Sequence, residues 1–229
     1  MKQAGPLLCI KNLSISSGSQ ALIKNFNLEF KAGDFKTISA PTGSGKTTLF
    51  NYIAGILPQD TFKVSGDMIK APGLRISYAF QEPRLIPSIS VLKNIMLPLQ
   101  NLMDLQQAQS LAKDWLSRFN LSHKALDLPE NLSGGEKQRA NLARAFAYTC
   151  KSQVFEENLV SSRSERLPEA LEGPYTNKLL LLDEPFSSQD EQNAQNIQSL
   201  IKEILLVPDT AVLLITHDRS LLDDTSIIL

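Results

Sequence analysis

The chain has 229 residues and a formal net charge of −1, enough length for one large core or two smaller lobes and none of the basic excess of a nucleic-acid binder. Its longest apolar runs, at 179–182 and 211–215, fall far short of the roughly 18–20 residues a membrane-spanning helix needs. The first six residues carry one positive charge and only a short apolar stretch follows, so they do not read as a signal peptide; Cys9 and Cys150 have no metal spacing and read as reduced thiols.

Taken in order, residues 7–32 read as short strands, Leu8-Cys9-Ile10 and Asn27-Leu28-Glu29-Phe30, with a turn at Ser16-Ser17-Gly18-Ser19. This predicts a small antiparallel sheet. An apolar strand at 35–40 then meets Pro41-Thr42-Gly43-Ser44-Gly45-Lys46-Thr47-Thr48, followed by a helix pattern with Leu49 and Ile53 on one face and Gly55 as its stop. Strand, Gly-rich turn and helix is the setting of a phosphate-binding loop. Gly43 and Gly45 let the backbone N–H groups converge on an anion, and the helix N-terminus adds its own. Lys46 would reach the terminal phosphates and Thr47 would hold Mg²⁺. Ala40 stands where the full pattern begins with Gly. Gly-Lys-Ser/Thr arises by chance in roughly one chain in ten of this length, so the motif alone does not decide.

Residues 61–80 predict two further strands, with Gly66 and Pro72-Gly73 as turns. The second ends at Gln81, and Glu82-Pro83-Arg84-Leu85-Ile86-Pro87 is a loop, because its prolines exclude a helix interior or a central strand. Residues 90–121 are helical in pattern, interrupted at Pro98; Ala108, Leu111, Ala112, Trp115, Leu116 and Phe119 form an amphipathic stripe in which Trp115 reads as core. His123, alone in a polar turn, is given no role. Leu132-Ser133-Gly134-Gly135-Glu136-Lys137-Gln138-Arg139 opens another helix, with Ser133 and Glu136 at capping-box spacing. Its Gly-rich N-terminus is a second place for an anion. Residues 151–176 show no period and read as a surface insertion. Leu179-Leu180-Leu181-Leu182-Asp183-Glu184 is a doubly buried strand ending in two carboxylates, of the kind found in parallel sheets. A helix pattern over 190–205 and a buried strand at 211–216 follow; that strand ends at His217, and residues 226–229 suggest one last strand.

These motifs, in this order, resemble the nucleotide-binding subunit of ATP-binding cassette (ABC) transporters. The resemblance rests on 40–48, Gln81, 132–139, Leu182-Asp183-Glu184-Pro185, 187–190 and His217, and it spans nearly the whole chain. Leu-Ser-Gly-Gly with Arg four residues on is expected by chance in well under roughly one chain in a thousand. The resemblance implies an α/β P-loop NTPase: a RecA-like core with an antiparallel β subdomain, plus an inserted α-helical subdomain. As a single ABC ATPase domain over 1–229, the core would take 1–88 and 177–229, the helical subdomain 89–150, and the insertion 151–176. It implies ATP and Mg²⁺ as ligands and a head-to-tail homodimer, or a pseudo-dimer with a related subunit, enclosing the nucleotide. Ala40, Pro41, Thr42, Gly43, Ser44, Gly45, Lys46, Thr47 and Thr48 would hold the phosphates from one subunit, and Ser133, Gly134, Gly135 and Gln138 from the other. Thr47, Gln81 and Asp183 would hold the metal. Glu184 would polarise the attacking water, with His217, Lys46 and Gln81 beside it.

The 81–88 loop would contact a separate permease, placing the protein in the cytoplasm on the inner face of the membrane, with no nucleic-acid partner. Gln81-Glu82-Pro83-Arg84-Leu85-Ile86-Pro87 looks like the loop of nitrate, sulfonate and taurine importers, although Ser88 falls where those often carry an aromatic residue. Ser16-Ser17-Gly18 offers no aromatic ring to stack on adenine, which predicts weak discrimination between purine bases. Gln189 stands where an aliphatic is usual. Import of a small solute is the first expectation. Export or lipoprotein release shares every motif. A soluble ABC protein of DNA repair or translation would bring a long coiled coil or a second cassette, and a non-hydrolysing sensor is at odds with Lys46, Glu184 and His217.

Overall fold

The computed structural model describes residues 5–39, 41, 43–149, 177–207, 209–217 and 227–228. The expected insertion at 151–176, Cys150 and the loop residues Ala40 and Thr42 lie outside the described residues. The chain forms two compact units, one from Met1–Tyr78, Asn177–Glu184 and Leu205–Leu229, the other from Ala79–Thr176 and Pro185–Ile204.

In the first unit, alternating apolar residues build an antiparallel sheet. Strands β1 (Leu8–Ser17) and β2 (Gln20–Phe30) pair through a two-residue turn at Gly18-Ser19. Leu8, Ile10, Leu13 and Ile15 on β1, and Ile23, Phe26, Leu28 and Phe30 on β2, are buried. Both strands are much longer than the fragments predicted, because the polar residues between the apolar ones face away from the core. Strand β4 (Phe62–Lys70) pairs with the other edge of β1. Gly66, predicted as a turn, instead lies inside β4 at φ 100°, where a Cβ would come within 2.5 Å of the Asn12 carbonyl oxygen. The register of β1 slips opposite it, between Lys11 and Ser14, so Gly66 accommodates a bulge in the neighbouring strand.

A second sheet runs in the order β5 (Arg75–Ala79), β6 (Lys178–Asp183), β7 (Thr210–Ile215), β3 (Phe35–Ser39), β8 (Ile227–Ile228). β3 is parallel to β7 and β8, and β6 is parallel to β7. Leu179 to Leu182 and Ala211 to Ile215 are inaccessible to solvent; both faces are covered, which is why these strands are apolar at every position. Helix α1 (Lys46–Ala54) turns Leu49, Phe50 and Ile53 into one cluster with Phe30, Ile38, Leu181 and Leu213, and Gly55 ends it at φ 77°.

The second unit is helical. Helix α2 (Val91–Met96) is capped by the Ser90 hydroxyl and stops before Pro98, where the chain tightens into a 3-10 turn, Leu97–Leu99. Helix α3 (Leu105–Arg118) begins with a capping box between Asp104 and Gln107. Helix α4 (Gly134–Thr149) and helix α5 (Glu191–Leu205) complete it. Trp115, Phe119 and Phe146 are buried together, with Phe146 edge-on to both partners at 5.5 and 5.3 Å; Trp115 is core. Arg118 ties α3 to α5, bonding Glu203 at 2.9 Å while its carbonyl accepts from Asn196 at 2.8 Å. Among the described residues, no helix is long and apolar enough to cross a membrane.

Candidate functional site

The parallel strands of the first unit deliver their polar residues to one edge, the carboxyl end where open α/β sheets bind ligands. The loop after β3 turns through Ser44, whose N–H donates to the Pro41 carbonyl at 3.2 Å. Gly43 and Gly45 hold φ of 81° and 92°, and Gly45 forms the N-cap of α1. A Cβ on Gly45 would also press to 3.2 Å against Leu22 and Ile23, so this position needs glycine for both its angle and its space. Lys46 is buried, its Nζ donating to the Pro41 carbonyl at 3.0 Å. The lysine thus folds over the loop instead of reaching into solvent.

Asp183 ends β6 almost wholly buried, and its Oδ2 accepts from Thr47 Oγ1 at 3.1 Å and from Tyr78 OH at 3.2 Å. Burial raises the Asp183 pKa above the ordinary value, partly offset by those two hydrogen bonds and by Lys46 and His217. Glu184 follows at φ 50°, a left-handed setting uncommon for a residue with a Cβ. Its N–H still joins the ladder through the Ile215 carbonyl at 2.9 Å, so the unusual angle turns the side chain out of the strand's alternation. His217 lies just past β7. Its Nε2 is 3.1 Å from Glu184 Oε1 and its backbone N donates to Oε2 at 3.4 Å. Glu184 too has a raised pKa, through burial first, with His217 opposing and Asp183 reinforcing.

Two observations test whether these residues fit a magnesium-bound triphosphate. The Ser44 hydroxyl is buried without a hydrogen-bond partner among the described residues, and a phosphate oxygen would satisfy it. Asp183 and Thr47 present a buried carboxylate beside a hydroxyl, and a cation there would offset the carboxylate's burial. One carboxylate, one hydroxyl and phosphate oxygens form the sparse oxygen set that Mg²⁺ accepts. The residues fit.

In the second unit, Ser133 and Glu136 cap α4 reciprocally: Glu136 N donates to Ser133 Oγ at 3.3 Å and Ser133 N to Glu136 Oε2 at 2.8 Å. Ser133 and Gly134 are exposed, leaving this helix end open. Gly135 packs so closely on the segment after Glu184 that a Cβ would lie 2.8 Å from the Ser188 carbonyl oxygen. Gln189 closes the same contact, donating to the Gly135 carbonyl at 3.2 Å and accepting from Arg139 at 3.2 Å. Gln138 is buried, its amide 3.5 Å from the Phe80 carbonyl. Gln81 is exposed at the start of its loop, as is Ile86 further along. Buried Asn94 fixes that loop, accepting from Ile86 N at 2.7 Å and donating to Ile86 O at 3.1 Å.

The structure therefore brings together Pro41, Gly43, Ser44, Gly45, Lys46, Thr47, Asp183, Glu184 and His217 in the first unit, with Thr48 in the first turn of α1. It brings Ser133, Gly134, Gly135 and Gln138 together at the start of α4 in the second. The sequence reading passed over Tyr78, Asn94 and Asn141. For the two asparagines a signal existed: each is a polar residue at an apolar position of a helix pattern. Nothing in the sequence singles out Tyr78, whose partner Asp183 is 105 residues away.

A parallel sheet with a phosphate loop, a buried carboxylate, an adjacent glutamate and a histidine at one edge defines a phosphate-loop nucleoside triphosphatase. The family model described as "ABC transporter" matches residues 23–158. The chain is 34% identical over 213 residues to the "Aliphatic sulfonates import ATP-binding protein SsuB" of Granulibacter bethesdensis, covering 93% of this chain and 74% of that protein. It is 32% identical over 214 residues to the "Bicarbonate transport ATP-binding protein CmpC" of Synechococcus elongatus, covering 91% of this chain and 28% of that one. The chain spans 62% of the length of another SsuB relative, from Rhodococcus jostii. Among solved structures, a dimeric post-hydrolysis state of the ATP-binding cassette MJ0796, bound to ADP and Pi, has a TM-score of 0.69 at 27% identity and 96% coverage of both chains. A second dimeric MJ0796 structure has a TM-score of 0.70 at 26% identity, again with 96% of each chain covered. This chain belongs to the ABC transporter family, as an ATPase subunit that powers a transporter.

Proposed function

We propose that this chain hydrolyses ATP to drive import of a small anionic solute through a separate permease, acting as one ATPase domain along its length. The observation that carries the hydrolytic part is the cluster of Lys46, Thr47, Asp183, Glu184 and His217 at the edge of the sheet. Lys46 and the N–H groups of the loop bind the β- and γ-phosphates. Thr47 and Asp183, with Gln81 as a further ligand, would hold Mg²⁺, which would supply neutralisation of phosphate charge. Glu184, kept partly out of water, takes the proton of the attacking water. His217 steadies that carboxylate from 3.1 Å and faces the γ-phosphate. The open, capped start of α4, with Ser133, Gly134 and Gly135, supplies phosphate contacts to a second copy across a dimer.

The import reading draws on the sulfonate and bicarbonate importers among the relatives. In this reading the largely exposed 81–88 loop is the contact for the permease, and the protein works at the inner face of the membrane. The absence of an aromatic ring in Ser16-Ser17-Gly18 implies weak discrimination between ATP and GTP. Glu184→Gln tests the assigned base: turnover should fall by roughly 10²–10⁴-fold while nucleotide binding persists. Hydrolysis at the native rate would remove Glu184 from this role.

A further inference from the structure

Phe80 follows the last residue of β5 and immediately precedes Gln81. Its carbonyl is gripped from α4: Asn141 Nδ2 donates to it at 2.8 Å, with Gln138 Nε2 at 3.5 Å. Asn141 is fully buried, a position where an amide is costly unless each of its polar atoms is paired. Here they are. Nδ2 also donates to Gln138 Oε1 at 3.4 Å, and Oδ1 accepts from Arg144 Nη2 at 3.1 Å. Arg144 extends the grip, donating through Nη1 to the Arg84 carbonyl at 2.7 Å. The Arg84 guanidinium lies over the Phe80 ring, 4.2 Å from its centre. Gln138, Asn141 and Arg144 recur at intervals of three, which places them along one side of the helix. The Asn141 amide has one workable orientation, since a flip would set its oxygen against a carbonyl and its NH₂ against a guanidinium. Alanine would suit a helix interior better; what the asparagine adds is a donor for the backbone beside Gln81.

We propose that Asn141 is a positioning residue for hydrolysis: by holding the Phe80 carbonyl, it fixes the backbone that carries Gln81. The role rests on the reading of Gln81 as a ligand of the metal or water. Two variants test it. Asn141→Asp keeps the shape but replaces the donor with an oxygen facing the Phe80 carbonyl, and Asn141→Ala removes the donor with a residue that favours the helix. Both should lower kcat for ATP about tenfold with KM changed less than about twofold, and should move the Mg²⁺ activation curve to higher concentration. In a Gln81→Ala background neither should cost anything further, because the route through Gln81 is already gone. Native kcat in both variants would overturn the proposal, as would an equal loss with and without Gln81. A Gln81→Ala protein that hydrolyses ATP at the native rate would remove the Gln81 reading and this role together. A slow Gln81→Ala beside native-rate Asn141 variants would remove only the positioning role.

Discussion

Glu184 combines two costs in one residue: a left-handed backbone at φ 50° and a carboxylate whose burial raises its pKa. Backbone strain and displaced pKa values cluster at functional sites, which fits the role proposed for Glu184. Asp183 shares the second cost. For an acid whose folded pKa is raised, the native state holds the proton in the interval between the unfolded and the folded value. Stability therefore falls as pH rises from the unfolded values, 3.8 for Asp183 and 4.5 for Glu184, through the raised ones, and stays lower above them. Asp183→Asn should accordingly raise the melting temperature of the nucleotide-free protein at neutral pH, by roughly 2–4 °C for each kcal/mol relieved. The gain should vanish below the unfolded values. Melting curves of both proteins across pH check this, and a gain that grows on acidification would contradict it. On the proposed role of Glu184 as the base, activity moves in the opposite sense, because only the carboxylate form can accept a proton, and its acidic limb should lie above that of an ordinary glutamate.

At the scale of single elements, the start of α4 is tightly constrained. Gly135 sits against the Ser188 carbonyl, and Ser188 itself is held at φ 60°. Gly135→Ala must push that segment away or distort the helix cap, at a cost of roughly 1–3 kcal/mol. We expect ATPase activity to fall far more than ATP affinity, measured by kcat beside an equilibrium binding curve; native kcat would show that the contact is dispensable. This element was legible in advance because its signals are local. Ser133 and Glu136 declare the cap, and Leu142 and Phe146 declare the buried side. The apolar runs at 179–182 and 211–215 announced buried parallel strands for the same reason. Gly66 was not legible, because its reason lies across the sheet in the bulge at Asn12 and not in its own neighbours. Gln189 could be seen to be unusual, but its partners Gly135 and Arg139 lie more than 49 residues away in sequence and appear only with coordinates.

For the molecule as a whole, the two groups proposed to face phosphate belong to separate units. The lysine loop, Asp183, Glu184 and His217 belong to the first, and the open end of α4 belongs to the second. The proposed dimer uses both, one from each copy. Glu184→Gln with ATP and Mg²⁺ should therefore sediment or scatter as a dimer, and return to monomer when the nucleotide is removed. A persistent monomer under those conditions would refute the shared site. The order of motifs along the chain made this arrangement readable as an expectation. The boundaries at Tyr78, Glu184 and Ile204 were not, because three separated stretches make up the first unit.

The order of the strands has a further consequence, for the chain while it is still being made. β7, spanning Thr210–Ile215, lies between β6 and β3 although it is the last of the three to leave the ribosome. Until it inserts, the strand carrying Asp183 and the strand leading into the lysine loop have no hydrogen-bonded neighbour in common. A nascent chain stalled before Thr210 would thus leave β6 open on one edge and β3 on both, since β8 is also still to come, and such unpaired edges are what a chaperone shields.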